Sequence, residues 1–139
     1  MSSIYNFTLR LSRSVAGKTV YLAGPITGKT SYKTHFDLWA KLLAKAGAQA
    51  PAFICNPALL QQGMTDRAYM AICLPMMLQC DAVVALPGFK DSKGAMAELH
   101  TAHAAGLLVS KALWEKKPMA EGEIILGEIS EAELAFALS

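Results

Sequence analysis

The chain has 139 residues, and 53% of them are hydrophobic, which suits one domain with one core. No apolar stretch reaches the roughly 18 residues that a membrane-spanning helix needs, and the first 18 residues lack the continuous apolar region of a secretory signal. A cytoplasmic protein is therefore expected, and a net charge of +2 is too small to imply binding to a nucleic-acid polymer.

The distribution of charge says more. No acid precedes Asp37, whereas Arg10, Arg13, Lys18, Lys29 and Lys33 all lie in that region or just before its end. After Pro118 come five Glu and no Lys or Arg. A basic first third suits an anionic ligand held near the first strand. Cys55, Cys73 and Cys80 form no CxxC pair and have apolar neighbours, so they read as small core residues.

Residues 1–17 are polar with weak alternation at Leu9 and Leu11, and predict an edge strand or an arm. Residues 19–23 are β-branched and apolar, end in Gly24-Pro25, and predict a buried strand. Ser31 can cap the next helix, in which Phe36, Trp39, Leu42, Leu43 and Ala46 recur at helical spacing until Gly47. Residues 49–55 form a second strand candidate, weakened by Pro51, before the turn at Asn56-Pro57. Thr65 or Asp66 caps a second helix, whose stripe is Met70, Cys73, Leu74, Met77 and Leu78 and which Pro75 should kink. Residues 81–86 predict a third strand, whose Ala-Val-Val-Ala-Leu run points to burial on both faces, closed by Pro87-Gly88. A third helix follows over about residues 92–105, then Gly106, then a fourth strand over 107–110. Later signals are weaker: a strand at 124–126, and a capping box of Ser130 with Glu133. Strands alternating with helices predict an α/β, Rossmann-like (flavodoxin-like) three-layer domain. Its sheet should be mostly parallel, with four to five strands and a core over 19–110.

Ligands in such folds bind at the carboxyl ends of the strands. Two glycine-bearing loops leave those ends, at residues 24–31 and 87–94, and each feeds a helix N-terminus. Free N–H groups and the helix dipole there favour a phosphate, with hydroxyls available at Thr27, Thr30, Ser31 and Ser92. Acids are scarce before residue 115, yet Asp81, Asp91 and Glu98 fall within eighteen residues of one another. Glu98 sits among Gly94, Ala95, Met96, Ala97 and Leu99, so its carboxylate should be partly buried with a perturbed pKa. Beside a bound nucleotide, such a group can attack the anomeric carbon, while Asp81 or Asp91 assists the sugar or the departing base.

The sequence resembles the nucleoside 2-deoxyribosyltransferase superfamily over roughly residues 19–110, and is closest to a phage and prophage branch. The resemblance rests on Tyr21-Leu22-Ala23-Gly24-Pro25-Ile26-Thr27-Gly28, on Cys80-Asp81-Ala82-Val83-Val84-Ala85-Leu86-Pro87-Gly88, and on Asp91-Ser92-Lys93-Gly94-Ala95-Met96-Ala97-Glu98. It implies that Glu98 is the nucleophile, that Tyr21 positions it, and that Asp81 is the aspartate of the third strand. Ser92 stands where the family's deoxynucleoside 5′-monophosphate N-glycosidases carry a phosphate-binding serine and its transferases an aspartate. The resemblance thus implies hydrolysis of a deoxynucleoside 5′-monophosphate, with Gly24, Pro25, Ile26, Thr27, Gly28, Ser92 and Gly94 around the phosphate. No cofactor or metal is implied, and a homo-oligomer with shared active sites is. Pro25 and Thr27 depart from the serine and arginine of the animal glycosidase's loop, Asp91 adjoins Ser92, and Pro75 interrupts the second helix.

Three other readings fit some of the same residues. Base exchange would use the same nucleophile. Ala23-x4-Gly28-Lys29-Thr30 matches a loose P-loop of a nucleotide kinase, but Asp81 opens its strand instead of closing it. A nucleotide sensor without catalysis is the third. His100 and His103 lie one helical turn apart without an acid or Cys at ligand spacing, so they read as ordinary surface or core histidines. Base contacts are expected from the loop at 56–64.

Overall fold

A computed structural model describes residues 4–5, 8–26, 32–60, 63–115 and 129–130. Its strands are β1 (Ile4–Tyr5), β2 (Thr8–Leu11), β3 (Thr19–Ala23), β4 (Phe53–Cys55), β5 (Ala82–Ala85), β6 (Leu108–Glu115) and β7 (Ile129–Ser130). Its helices are α1 (Tyr32–Ala44), α2 (Asp66–Leu78) and α3 (Lys93–Ala104). The main sheet has the order β2-β6-β5-β3-β4. β4, β3, β5 and β6 are parallel, and β2 joins β6 antiparallel. β1 and β7 form a separate antiparallel pair. This is the expected Rossmann-like α/β fold.

Strand alternation sorts the helices into two layers. Val20, Leu22, Ala82, Val84 and Leu86 face one side, where they pack with Phe36, Trp39, Leu42 and Leu43 of α1. Tyr21, Ala23 and Val83 face the other, against Cys73 and Met77 of α2 and Ala102 of α3. Because both faces are covered, β5 is buried at every position. The fully buried Trp39, Phe36 and Leu43 each contribute about 2 kcal/mol of apolar burial.

Counting the four parallel strands in chain order, the sheet reads second, first, third, fourth, which is the flavodoxin-like order. The order reverses between β3 and β5. β3 leads to the α1 layer and β5 to the α2–α3 layer, so the loops that follow them diverge and leave a crevice. Those loops still touch. A Cβ on Gly24 would lie 3.2 Å from Leu86 Cβ and from Phe36 Cζ, so only glycine fits that crossing comfortably. Gly88 turns with a φ of 87°, where a side chain would be strained, and sits beside Pro25.

Several boundaries differ from expectation. The second parallel strand is only Phe53–Cys55, since Pro51 has no N–H for a ladder and a 3-10 turn, Gly47–Gln49, occupies the stretch before it. α2 runs as one helix through Pro75, and its buried face centres on Cys73 and Met77, leaving Leu78 47% exposed. β6 continues past Ser110 to Glu115 because β2 pairs with its second half. The N-terminal segment is thus an edge strand. Ser31, residues 124–126 and the helix expected after Ser130 lie outside the described residues. No helix among the described residues is long and apolar enough to cross a membrane.

A hydroxyl clasps the N-terminal segment to the sheet. Ser110, fully buried, donates to Arg13 O at 2.7 Å and accepts from Arg13 N at 3.0 Å. Ser110→Ala leaves both backbone groups short of a partner and should cost about 1–3 kcal/mol. Urea unfolding measures this; an unchanged midpoint would show that the clasp contributes nothing.

Candidate active site

α3 is capped by Ser92, whose Oγ accepts from Ala95 N at 3.1 Å. From that start, helical spacing puts Ala95, Glu98 and Ala102 on one line, and all three are buried against the sheet. A glutamate therefore occupies a core position. The alanines on either side are small, and the phenol of Tyr21 rises from β3 to meet the carboxylate.

Tyr21 donates its hydroxyl proton to Glu98 Oε2. Both side chains are enclosed: Tyr21 is fully buried and Glu98 is 6% exposed. Burial pushes the Glu98 carboxyl up to about 7, with the Tyr21 hydrogen bond pulling the other way. Burial, with the nearby Glu98 charge second, also holds the Tyr21 phenol far above its ordinary value, so it stays a proton donor.

The pair forms the floor of a cleft of about 500 Å³ at the carboxyl ends of β3 and β5. Gly24, Pro25 and Ile26 make one wall, and Asp66, Tyr69, Met70 and Cys73 of α2 another. The third runs from Asp91 and Ser92 through Lys93 and Gly94 to Glu98. The N–H groups of Lys93 and Gly94, in the first turn of α3, have no intrahelical carbonyl within reach. They offer an anion site beside the Ser92 hydroxyl.

Of the residues singled out in the sequence, Glu98, Tyr21, Asp91, Gly24, Pro25, Ile26, Ser92 and Gly94 come together here. Asp81 does not. It precedes β5 at the amino end of the sheet, where its Oδ2 accepts from Thr19 N at 3.2 Å. A residue that opens a parallel strand lies a strand's length from the ligand end, so Asp81 serves the fold and not the cleft. Thr27, Gly28, Lys29 and Thr30 lie outside the described residues.

Of the described residues of the loop at 56–64, where base contacts are expected, none lines the cleft, whereas α2 contributes Asp66, Tyr69, Met70 and Cys73. Asn56 is occupied with structure: its amide donates to Asp37 Oδ1 and its carbonyl accepts from Ala58 N. Asp66, Tyr69, Cys73 and Lys93 were missed as lining residues. The available signal was that Asp66 opens a helix entered from a carboxyl-end loop. Among the described residues, no three His, Cys, Asp or Glu side chains gather as a metal site would require, and His100 and His103 are exposed.

The model of the family described as a domain of unknown function, DUF4406, matches residues 18–111. The chain belongs to the DUF4406 family. The matched segment begins just before β3 and ends within β6, so the DUF4406 region contains the three parallel-strand pairings, the three helices and every residue of the cleft. No curated protein and no solved structure matches the chain.

Burying Glu98 has a measurable consequence. Its folded pKa, about 7, exceeds the ordinary 4.5, so between those values the folded state holds more protons than the unfolded one. Stability should therefore fall as pH rises from 4.5 to 7, by on the order of 3 kcal/mol in all. Glu98→Gln keeps the shape and removes the buried charge. It should melt well above the wild type at pH 8 and close to it at pH 4.5, as read by calorimetry. Equal melting temperatures at pH 8 would mean that the carboxylate is not desolvated.

Proposed function

We propose that the cleft cleaves the N-glycosidic bond of a 2′-deoxynucleoside 5′-monophosphate, releasing the free base and deoxyribose 5-phosphate. One observation carries this reading: a buried carboxylate, held by a phenol, lines the same cleft as the serine-capped N-terminus of its own helix, about two turns away. A desolvated carboxylate is a strong nucleophile, and an anion site two turns away suits a phosphate at the far end of a sugar. The choice of a 2′-deoxy sugar and a single phosphate rests on the sequence resemblance at residues 21–28, 80–88 and 91–98.

In this scheme the phosphate sits against the Ser92 hydroxyl and the N–H groups of Lys93 and Gly94, with Gly24, Pro25 and Ile26 opposite. Glu98 attacks the anomeric carbon as its bond to the base nitrogen breaks, giving a glycosyl ester. Asp91, on the same wall, binds a sugar hydroxyl or hands the departing base its proton. Water then attacks the same carbon and gives a proton to the Asp91 carboxylate, which breaks the ester and restores Glu98 with retention of configuration. Tyr21 holds the carboxylate in place by donating to it. All the acid–base and nucleophilic groups come from the protein, and the scheme calls for no cofactor. A free base in place of water would turn the same intermediate into a transferase product.

The test is to incubate the protein with each deoxynucleoside monophosphate and each matching nucleoside, and to follow free base by chromatography. Glu98→Gln and Glu98→Ala should lose at least a thousand-fold in rate while staying folded. Because Glu98 must be ionised to attack, kcat/KM should fall as pH drops through about 7. Ser92→Ala should raise KM for nucleotides by roughly tenfold and leave nucleosides unaffected, the loss expected for one hydrogen bond to a charged group. Base release that survives in either Glu98 variant removes the mechanism. Binding without cleavage points to a sensor.

We further propose that this cytoplasmic domain works as a homo-oligomer built on α2. That helix carries charge only at Asp66 and Arg67, and its outward residues Ile72 and Leu78 are 40% and 47% exposed. A helix that is apolar nearly all round calls for a partner surface, and α2 also walls the cleft. Light scattering should show a dimer or larger species, and the double change Ile72→Glu with Leu78→Lys should yield monomer. A monomeric wild type contradicts this assembly.

A further inference from the structure

Helix α2 supplies the wall of the cleft that neither the phosphate nor the nucleophile uses. Asp66 lies at its start, and Tyr69 and Met70 follow within a turn, so a carboxylate stands beside an aromatic ring and a thioether. Helices α2 and α3 both run back from the carboxyl ends of parallel strands on one face of the sheet, so they point the same way. One contact sets their relative height: a Cβ on Gly94 would lie 3.8 Å from Met70 Sδ.

Asp66 is one turn before Met70, and Glu98 is one turn after Gly94. With the ordinary helical rise, these offsets separate the two carboxylates by about 12 Å along the helix axes. A carboxylate attacking the anomeric carbon stands about 3 Å from it, and a hydrogen bond at the other end takes about 3 Å more. The departing base lies opposite the nucleophile, so these lengths add. What is left matches a nucleobase measured from its glycosidic bond to its Watson–Crick edge.

An ionised carboxylate only accepts hydrogen bonds, and two donors side by side suit it best. Guanine presents such a pair on that edge, N1–H beside the N2 amino group. Adenine and cytosine each set one amino donor beside a ring nitrogen that accepts, and thymine flanks its N–H with two carbonyls. A carboxylate has about four acceptor positions, so Asp66 can receive a base and keep its interactions within the chain. We propose that Asp66 is a specificity-determining residue that makes guanine the preferred base, by accepting from N1–H and the N2 amino group. Tyr69 and Met70 supply apolar surface for the ring. This deepens the glycosidase reading and rests on its placement of a nucleotide in the cleft.

The test is isothermal titration calorimetry on the full chain carrying Glu98→Gln, so that no ligand is consumed. The ligands are the 5′-monophosphates of deoxyguanosine, deoxyinosine, deoxyadenosine, deoxycytidine and thymidine. The inosine nucleotide lacks only the N2 amino group. It should bind about tenfold more weakly than the guanine nucleotide, the loss of one hydrogen bond to a charged group, and the other three more weakly still. Asp66→Asn in the same background exchanges one acceptor for a donor, which suits adenine. It should weaken the guanine nucleotide at least tenfold and strengthen the adenine nucleotide. A carboxylate that served only the start of α2 would leave the order of affinities unchanged. Equal binding of the guanine and inosine nucleotides, an unchanged order in Asp66→Asn, or no binding of any of the five overturns the proposal. If Asp66→Asn does not fold, the guanine–inosine comparison decides alone: a tenfold gap supports the contact, and its absence refutes it. Base release by the wild type is read separately. Guanine preference without release removes only the glycosidase chemistry, and release without the preference removes only the base contact.

Discussion

Everything distinctive about this chain follows from placing one ionisable carboxyl, Glu98, on the core-facing line of α3. A glutamate buried without a partner would be neutral and would destabilise the fold whenever it ionised. Here Tyr21 supplies a proton to bond with, and the cleft opens just above the pair. The compromise leaves the carboxyl near neutrality, able to change charge at the pH where proteins work. Proteins keep such an arrangement when its chemistry matters more than the stability it removes.

The rest of the fold serves that placement. β3 contributes the phenol because alternation turns Tyr21 to the α2–α3 face while Val20 and Leu22 hold α1 on the other. The reversal of strand order between β3 and β5 opens the crevice at the carboxyl ends of those strands. The close crossing of Gly24 over Leu86 and Phe36 draws the two loops together at its mouth. Ser92 then both ends the second loop and caps α3, so the free N–H groups of the helix start and the carboxylate ride on one rigid helix two turns apart. Groups fixed on one helix keep their spacing, which a site spread over several loops does not guarantee.

The DUF4406 match spans the region that builds this arrangement and omits β2, the antiparallel edge. That division suits a family whose shared part is the parallel sheet with its cleft. The added strand lengthens β6 and is pinned through Ser110 and Arg13, so it strengthens an edge remote from Tyr21 and Glu98.

Much of this could be read from the residues in order. The strands at Thr19–Ala23 and Ala82–Ala85, the three helices, Thr65 as a cap and Glu98 as a partly buried acid all follow from periodicity and neighbours. Periodicity is local, and each signal is carried by residues within a turn or two. Three-dimensional packing decided the rest. Asp81 looked like a site residue because it is near Glu98 in sequence, yet it stands at the opposite end of its strand with Thr19. Asp66, Tyr69 and Cys73 joined the cleft because α2 crosses beside α3, a contact that no spacing along the chain encodes. Which strands neighbour one another, and so which side chains share a cavity, depends on long-range pairing, and that information resides in the fold as a whole.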